Sequence, residues 1–142
     1  MNKELDIREY NIKTLAYIGD AVYELYIREH LVKNSREVAN KLHLKTIKYV
    51  SAKAQEYIIN NIYELLTDEE KEVYKRGRNA AATTIPKNTD VVIYKKATGF
   101  EAVIGYLHLT KQKRRLDDII RECIRIISER IWYYENKYKW EF

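Results

Sequence analysis

Two carboxylates stand where carboxylates are expensive. Asp20 lies in LAYIGDAVYELYIREHL, residues 15–31, next to Ile18, Ala21 and Val22, and Glu101 lies in GFEAVIGY, between Phe100 and Ala102. A charge among apolar neighbours is costly unless something pairs with it. Both acids also have small residues beside them: Gly19 adjoins Asp20, while Gly99 and Gly105 flank Glu101. A helix-interior glycine costs about 1 kcal/mol relative to alanine, and the chain has only 4 glycines. Small residues let two helices approach closely. If the Asp20 and Glu101 helices pack together, the two acids face each other. Two carboxylates in contact repel unless a cation lies between them. A divalent metal held by one or two carboxylates and several waters is the usual form of a magnesium site. Such a metal activates water and stabilises the oxygens of a phosphodiester undergoing displacement. Taken singly, each acid reads more simply as a solvated helix-surface residue with a lysine neighbour.

Other reactive constellations are missing from the sequence. His30, His43 and His108 are scattered and lack the spacing of a zinc motif. No glycine-rich phosphate loop, Gly-x-Ser-x-Gly turn or Cys–His nucleophile pair is legible. Cys123, the one cysteine, reads as a small core residue and fits a reducing compartment. The polar start MNKELD is unlike a secretory signal, and no apolar run approaches a bilayer span. A cytoplasmic protein with no membrane association is expected. The 142 residues suit a single domain over 1–142. With 46% apolar and 33% charged residues, the chain is globular rather than disordered. A net charge of +5 points to an acidic partner, nucleic acid before anionic membrane. The 13 tyrosines could stack on bases, but their helical spacing suits core and interface positions.

Few glycines and one proline favour long helices, and the periodicity predicts an all-α bundle. A first helix is expected from about Asn11 to Lys33. Ser35 can cap a short second helix through about His43. Lys45 to Leu66 is helical, as one bent helix or two. Thr67 and Glu70 form a capping-box pattern ahead of a helix to about Asn79. AATTIPKN then forms a loop, followed by a helix from about Asp90 to Leu109. VVIY is the best strand candidate, but it has nothing to pair with. A last amphipathic helix carries Leu116, Ile119, Ile120, Cys123, Ile127 and Ile131 on one stripe. From Val73 to Thr89 there is no acid, while Lys75, Arg76, Arg78 and Lys87 are basic. That run is either a solvated helix end or a phosphate-contacting loop.

LAYIGDAV and ATGFEAVIGYLHL together resemble the two signature segments of the ribonuclease III catalytic domain. The family's segments run Leu-Glu-Phe-Leu-Gly-Asp-Ala-Val and Ala-Asp-x-Phe-Glu-Ala-Leu-Ile-Gly-Ala. The likeness extends from about Asn11 through the last helix, and no double-stranded-RNA-binding domain is expected beyond it. With YIGDAV, VSAKAQ, RGRNA and IPKNTD, the chain looks like the short Mini-ribonuclease III branch of that family. Asp20 and Glu101 match the family's metal-binding aspartate and glutamate. Two further acids of the larger enzymes are replaced by Ala16 and Thr98, and an upstream glutamate by Lys13. Glu24, one turn beyond Asp20, could reach the metal through water, or simply pair with Arg28.

The resemblance implies a magnesium-dependent endonuclease that cuts double-stranded RNA, leaving 5′-phosphate and 3′-hydroxyl ends. It implies a homodimer in which Tyr17, at the place of the family's phenylalanine, inserts into the partner. It also implies maturation of the ends of the 23S ribosomal RNA precursor, helped by a large-subunit ribosomal protein. The candidates for gripping RNA are Arg76, Arg78 and Lys87, then Lys53, then Lys95 and Lys96. The run Lys111, Lys113, Arg114 and Arg115 is a weaker candidate. Two other readings share the sequence features: a non-catalytic duplex-binding homologue, and a helical protein-interaction domain with a fortuitous motif.

Overall fold

The computed structural model describes residues 6, 9–81 and 85–137. Among them the chain forms α1 (Ile12–Asn34), α2 (Ala39–Val50), α3 (Ala52–Ile62), a 3₁₀ turn (Tyr63–Leu65), α4 (Asp68–Ala80), α5 (Val91–Leu109) and α6 (Lys113–Asn136). No strand occurs among the described residues. VVIY is the first turn of α5, because Asp90 Oδ1 accepts the Ile93 N–H and caps the helix there.

Two boundaries differ from the periodicity. Ser35 ends α1 instead of starting a helix, and its Oγ accepts the Glu37 N–H in a local turn. Residues 35–38 stay outside the helices, and α2 begins after Val38 without a side-chain cap. Packing sets this helix rather than capping. Leu42, Thr46 and Tyr49 form its inner face, so it continues past His43 to Val50. Ser51 then makes the break in the 45–66 segment. It closes α2 and caps α3 by accepting the Ala54 N–H.

α5 is the central helix. From Ala97 to Leu107 every residue is buried except Glu101, the pattern of a helix surrounded on all sides. It packs against α1, α3, α4 and α6. Its crossing with α1 is made at backbone distance. A Cβ on Gly19 would lie 1.8 Å from the Glu101 carbonyl oxygen, and one on Gly105 would lie 2.0 Å from that of Leu15. α4 crosses α5 in a similar way, with Gly77 set against Gly99 and Ala102.

Buried polar groups bind the outer helices together. The Tyr23 hydroxyl donates to the Tyr49 carbonyl at 3.0 Å, and the Tyr49 hydroxyl meets Ser128 Oγ at 2.9 Å. Tyr106 donates to Glu69, joining α5 to α4. Arg115 forks onto the buried Glu70 carboxylate at 2.8 and 3.0 Å, and onto the Leu65 carbonyl. Glu70 also completes the capping box with Thr67. These partners hold its carboxyl below the usual range despite burial. Many tyrosines are thus structural bridges. Cys123 is fully buried and its thiol is pushed up by that burial, as suits a core residue.

The α1–α5 contact leaves no room for a methyl group. Gly105→Ala is expected to destabilise the protein by about 1–3 kcal/mol or more, since the obstacle is backbone and cannot rotate away. Urea unfolding of the variant against wild type measures it, and an unchanged midpoint would refute the close crossing.

Candidate active site

The glycine crossing explains how two acids 81 positions apart in sequence come together. Gly19 rests on the backbone of Glu101 itself, and Asp20 is its neighbour. Asp20 and Glu101 line one pocket of about 200 Å³, together with Lys13, Ala16, Tyr17, Ala81, Tyr94 and Thr98. Asp20 is exposed at the mouth and Glu101 is half-buried behind it.

The Asp20 carboxyl lies against that of Glu101 and disfavours its ionisation. Burial is the main cause that pushes Glu101 up to about 9, followed by the hydrogen bond from Asp20 and then Asp20's charge. Ala16, Thr98 and Lys13 all line the same pocket. The positions where the larger enzymes carry extra acids therefore do face the site, and here they offer no carboxylate. The Thr98 hydroxyl is turned inward, donating to the Tyr94 carbonyl at 2.9 Å.

A divalent cation fits this donor set. Two hard oxygen donors in one pocket, one of them disfavoured as a charge by burial, are neutralised by such an ion. No group of three or more His, Cys, Asp and Glu residues suited to a metal occurs among the described residues. The protein thus offers two carboxylates and space for water.

The other candidates fall into separate places. Arg76 and Arg78 flank Gly77 and are held beside α5 by its contact with Gly99. Arg78 lies over the Tyr74 ring at 5.6 Å. Lys87 is exposed in a turn before α5, next to Asn88, whose φ is 64°. Lys96 is fixed by Asn60 Oδ1 at 2.9 Å, and Lys95 is half-buried beside it. Lys53 is not brought to this pocket; it lines a hollow between α3 and α6. Lys113 and Arg115 are drawn into pairs with Asp117 and Glu70. Glu24 pairs with Arg28 at 3.1 Å and does not line the pocket. Tyr17 is 81% exposed, so it is no core tyrosine. Tyr94 escaped the sequence reading, although its spacing to Thr98 and Glu101 puts all three on one helix face. Ala81 gave no signal at all.

The model of the ribonuclease III domain matches residues 13–112, which contain both acids. The chain belongs to the ribonuclease III family. Among its relatives are Mini-ribonuclease 3 of Enterococcus faecalis, 49% identical over 87% of this chain and 96% of that protein. Mini-ribonuclease 3 of Streptococcus pneumoniae is also 49% identical, over 87% and 98%. A crystal structure of a Fusobacterium nucleatum protein superposes with a TM-score of 0.76 at 35% identity, covering 84% of this chain and 96% of that one. The chain is an endoribonuclease of the ribonuclease III type. The fortuitous-motif reading is set aside.

The acid pair has a pH signature without metal. A carboxyl raised in the folded state stabilises fully below its unfolded range, and that stability is lost as pH rises through the folded value. Metal-free protein is therefore expected to lose thermal stability as pH rises towards about 9. Glu101→Gln, which cannot ionise, should flatten the loss. Thermal unfolding in a chelating buffer from about pH 5 to about pH 9 checks it, and equal slopes for both proteins would sink the assignment.

Proposed function

We propose that this endoribonuclease cuts double-stranded RNA with magnesium held by Asp20 and Glu101. The observation that carries the reading is the acid pair in one pocket, where burial and the neighbouring carboxyl disfavour the charge on Glu101 unless a cation offsets it. Magnesium bound there supplies an activated water and offsets negative charge at the phosphodiester. Asp20, at the exposed mouth, meets the incoming ion and phosphate. Glu101, held from behind by the α1–α5 crossing, fixes where that ion rests. The pocket's low polarity at Ala16 and Thr98 leaves the ion fewer protein donors than the larger enzymes provide. The products are a 5′-phosphate and a 3′-hydroxyl.

The active species is a homodimer with two sites, one for each strand of the duplex. Tyr17, Leu25 and Val32 are 81%, 57% and 63% exposed along α1, an apolar row that a second copy would cover. RNA duplexes are gripped largely by phosphate and 2′-hydroxyl contacts. The cations offered for this are Arg76 and Arg78 on α4, Lys87 in the turn before α5, Lys95 and Lys96 on α5, and Lys53 further off. The cellular substrate is the 23S ribosomal RNA precursor in the cytoplasm, with a large-subunit ribosomal protein assisting.

Cleavage of a duplex RNA with and without magnesium tests the assignment, using Asp20→Asn and Glu101→Gln. Each variant is expected to lose more than the roughly 10- to 100-fold typical of outer-shell changes, with duplex binding retained. Wild type that binds duplex and leaves it intact in magnesium would overturn the proposal. In a separate titration, Arg78→Ala is expected to lower the slope of log affinity against log salt by about one. An unchanged slope would remove Arg78 from the RNA interface.

A further inference from the structure

We propose that the face built by α3 and the C-terminal half of α6 binds single-stranded RNA, the unpaired continuation of a duplex held at the acid pair. It rests on the duplex-RNA reading only in supplying that neighbouring duplex. Two adjoining hollows, of about 380 and 420 Å³, lie on this face and share Arg130 and Tyr134. The Arg130 guanidinium sits 4.1 Å from the centre of the Tyr57 ring and 5.8 Å from that of Tyr134. Tyr133 and Tyr134 meet at 5.6 Å with their planes 78° apart, and each is 56% exposed. In an edge-to-face pair only one ring has a face covered by the other. The second ring keeps both faces clear of its partner, and a base can stack there.

The charge fits the same occupant. The hollows are lined by Lys48, Lys53, Arg125 and Arg130 against Glu129 and Glu135. Arg125 is taken up by Glu122 and Glu129, and Lys48 lies 3.9 Å from Glu135. Lys53 and Arg130 form no ion pair with a carboxylate among the described residues. Rings interleaved with unpaired cations are the makings of a single-strand platform: cations follow the phosphates and rings take the bases. A duplex keeps its bases stacked inside, so only unpaired nucleotides can use the rings. α3 also joins this face to the acid pair. Asn61 lines one hollow, and the adjacent Asn60 holds Lys96, five residues before Glu101 on α5.

The test measures binding by fluorescence anisotropy in the Asp20→Asn background, which keeps RNA intact. The probes are a blunt RNA duplex, the same duplex with an unpaired extension of about eight nucleotides, and that extension alone. The extension is expected to tighten duplex binding by roughly fivefold or more, as one stacked base would. Tyr133→Ala combined with Tyr134→Ala, or Arg130→Gln alone, should remove that gain while blunt-duplex affinity stays within about twofold. Equal affinity for blunt and extended duplexes would overturn this inference and leave the duplex reading standing. Binding of the extension alone without duplex binding would do the reverse. No binding to any probe would end both. Sedimentation of the double tyrosine variant completes the test, because a changed oligomeric state would mark the face as a contact between copies and refute the platform.

Discussion

The structure depends on one steric constraint, the contact of α1 and α5 at the level of their backbones. Gly19 lies against the carbonyl of Glu101 and Gly105 against that of Leu15, at separations no side chain would permit. Each glycine gives up helix propensity, and what it gains is position. With the axes this close, residues next to the contact on the two helices face one another across a few ångströms. Asp20 follows Gly19 and Glu101 is the residue on which Gly19 rests, so the acid pair is a direct result of the crossing. α4 uses a similar device: Gly77 against Gly99 holds the basic residues Arg76 and Arg78 beside α5.

The same closeness creates the electrostatic problem that the site uses. Glu101 is the one residue from Ala97 to Leu107 that is not buried outright, yet it is sheltered enough for its carboxyl to be raised to about 9. A carboxylate so disfavoured gains most from a bound cation. The proposed cation would meet fewer acids here than the family's signature segments carry. Here Ala16, Thr98 and Lys13 occupy the corresponding wall, and the two retained acids are all the carboxylate this pocket has. Stability is conceded where a ligand can restore it. The rest of the molecule is conventionally secured, by the Arg115–Glu70 fork, the capping box at Thr67 and the tyrosines that bridge helices.

Much of this was legible from the residues alone. The helical content, the α1 start at Asn11, the capping box at Thr67 and the buried stripe of α6 follow from local rules: periodicity, side-chain caps and a shortage of turn residues. Local rules failed where tertiary contacts override them. Ser35 has a capping side chain and caps no helix. α2 is placed by its buried face, with Tyr49 linked to both Tyr23 and Ser128. The β-branched run VVIY is helical because Asp90 caps it and α5 carries it into the core.

By itself, then, the sequence determined the helices, the two motifs and the two acids with small residues beside them. These are properties of chemical type and spacing along the chain. Only the tertiary structure decided that the small residues belong to one crossing, that the two acids line one pocket, and that Tyr94 and Ala81 join it. It also decided that Lys53 stands apart with Arg130, and that Tyr17 is exposed rather than buried. The reason is physical. Which faces of different helices meet is set by how all of them pack around α5, and no stretch of sequence contains that sum.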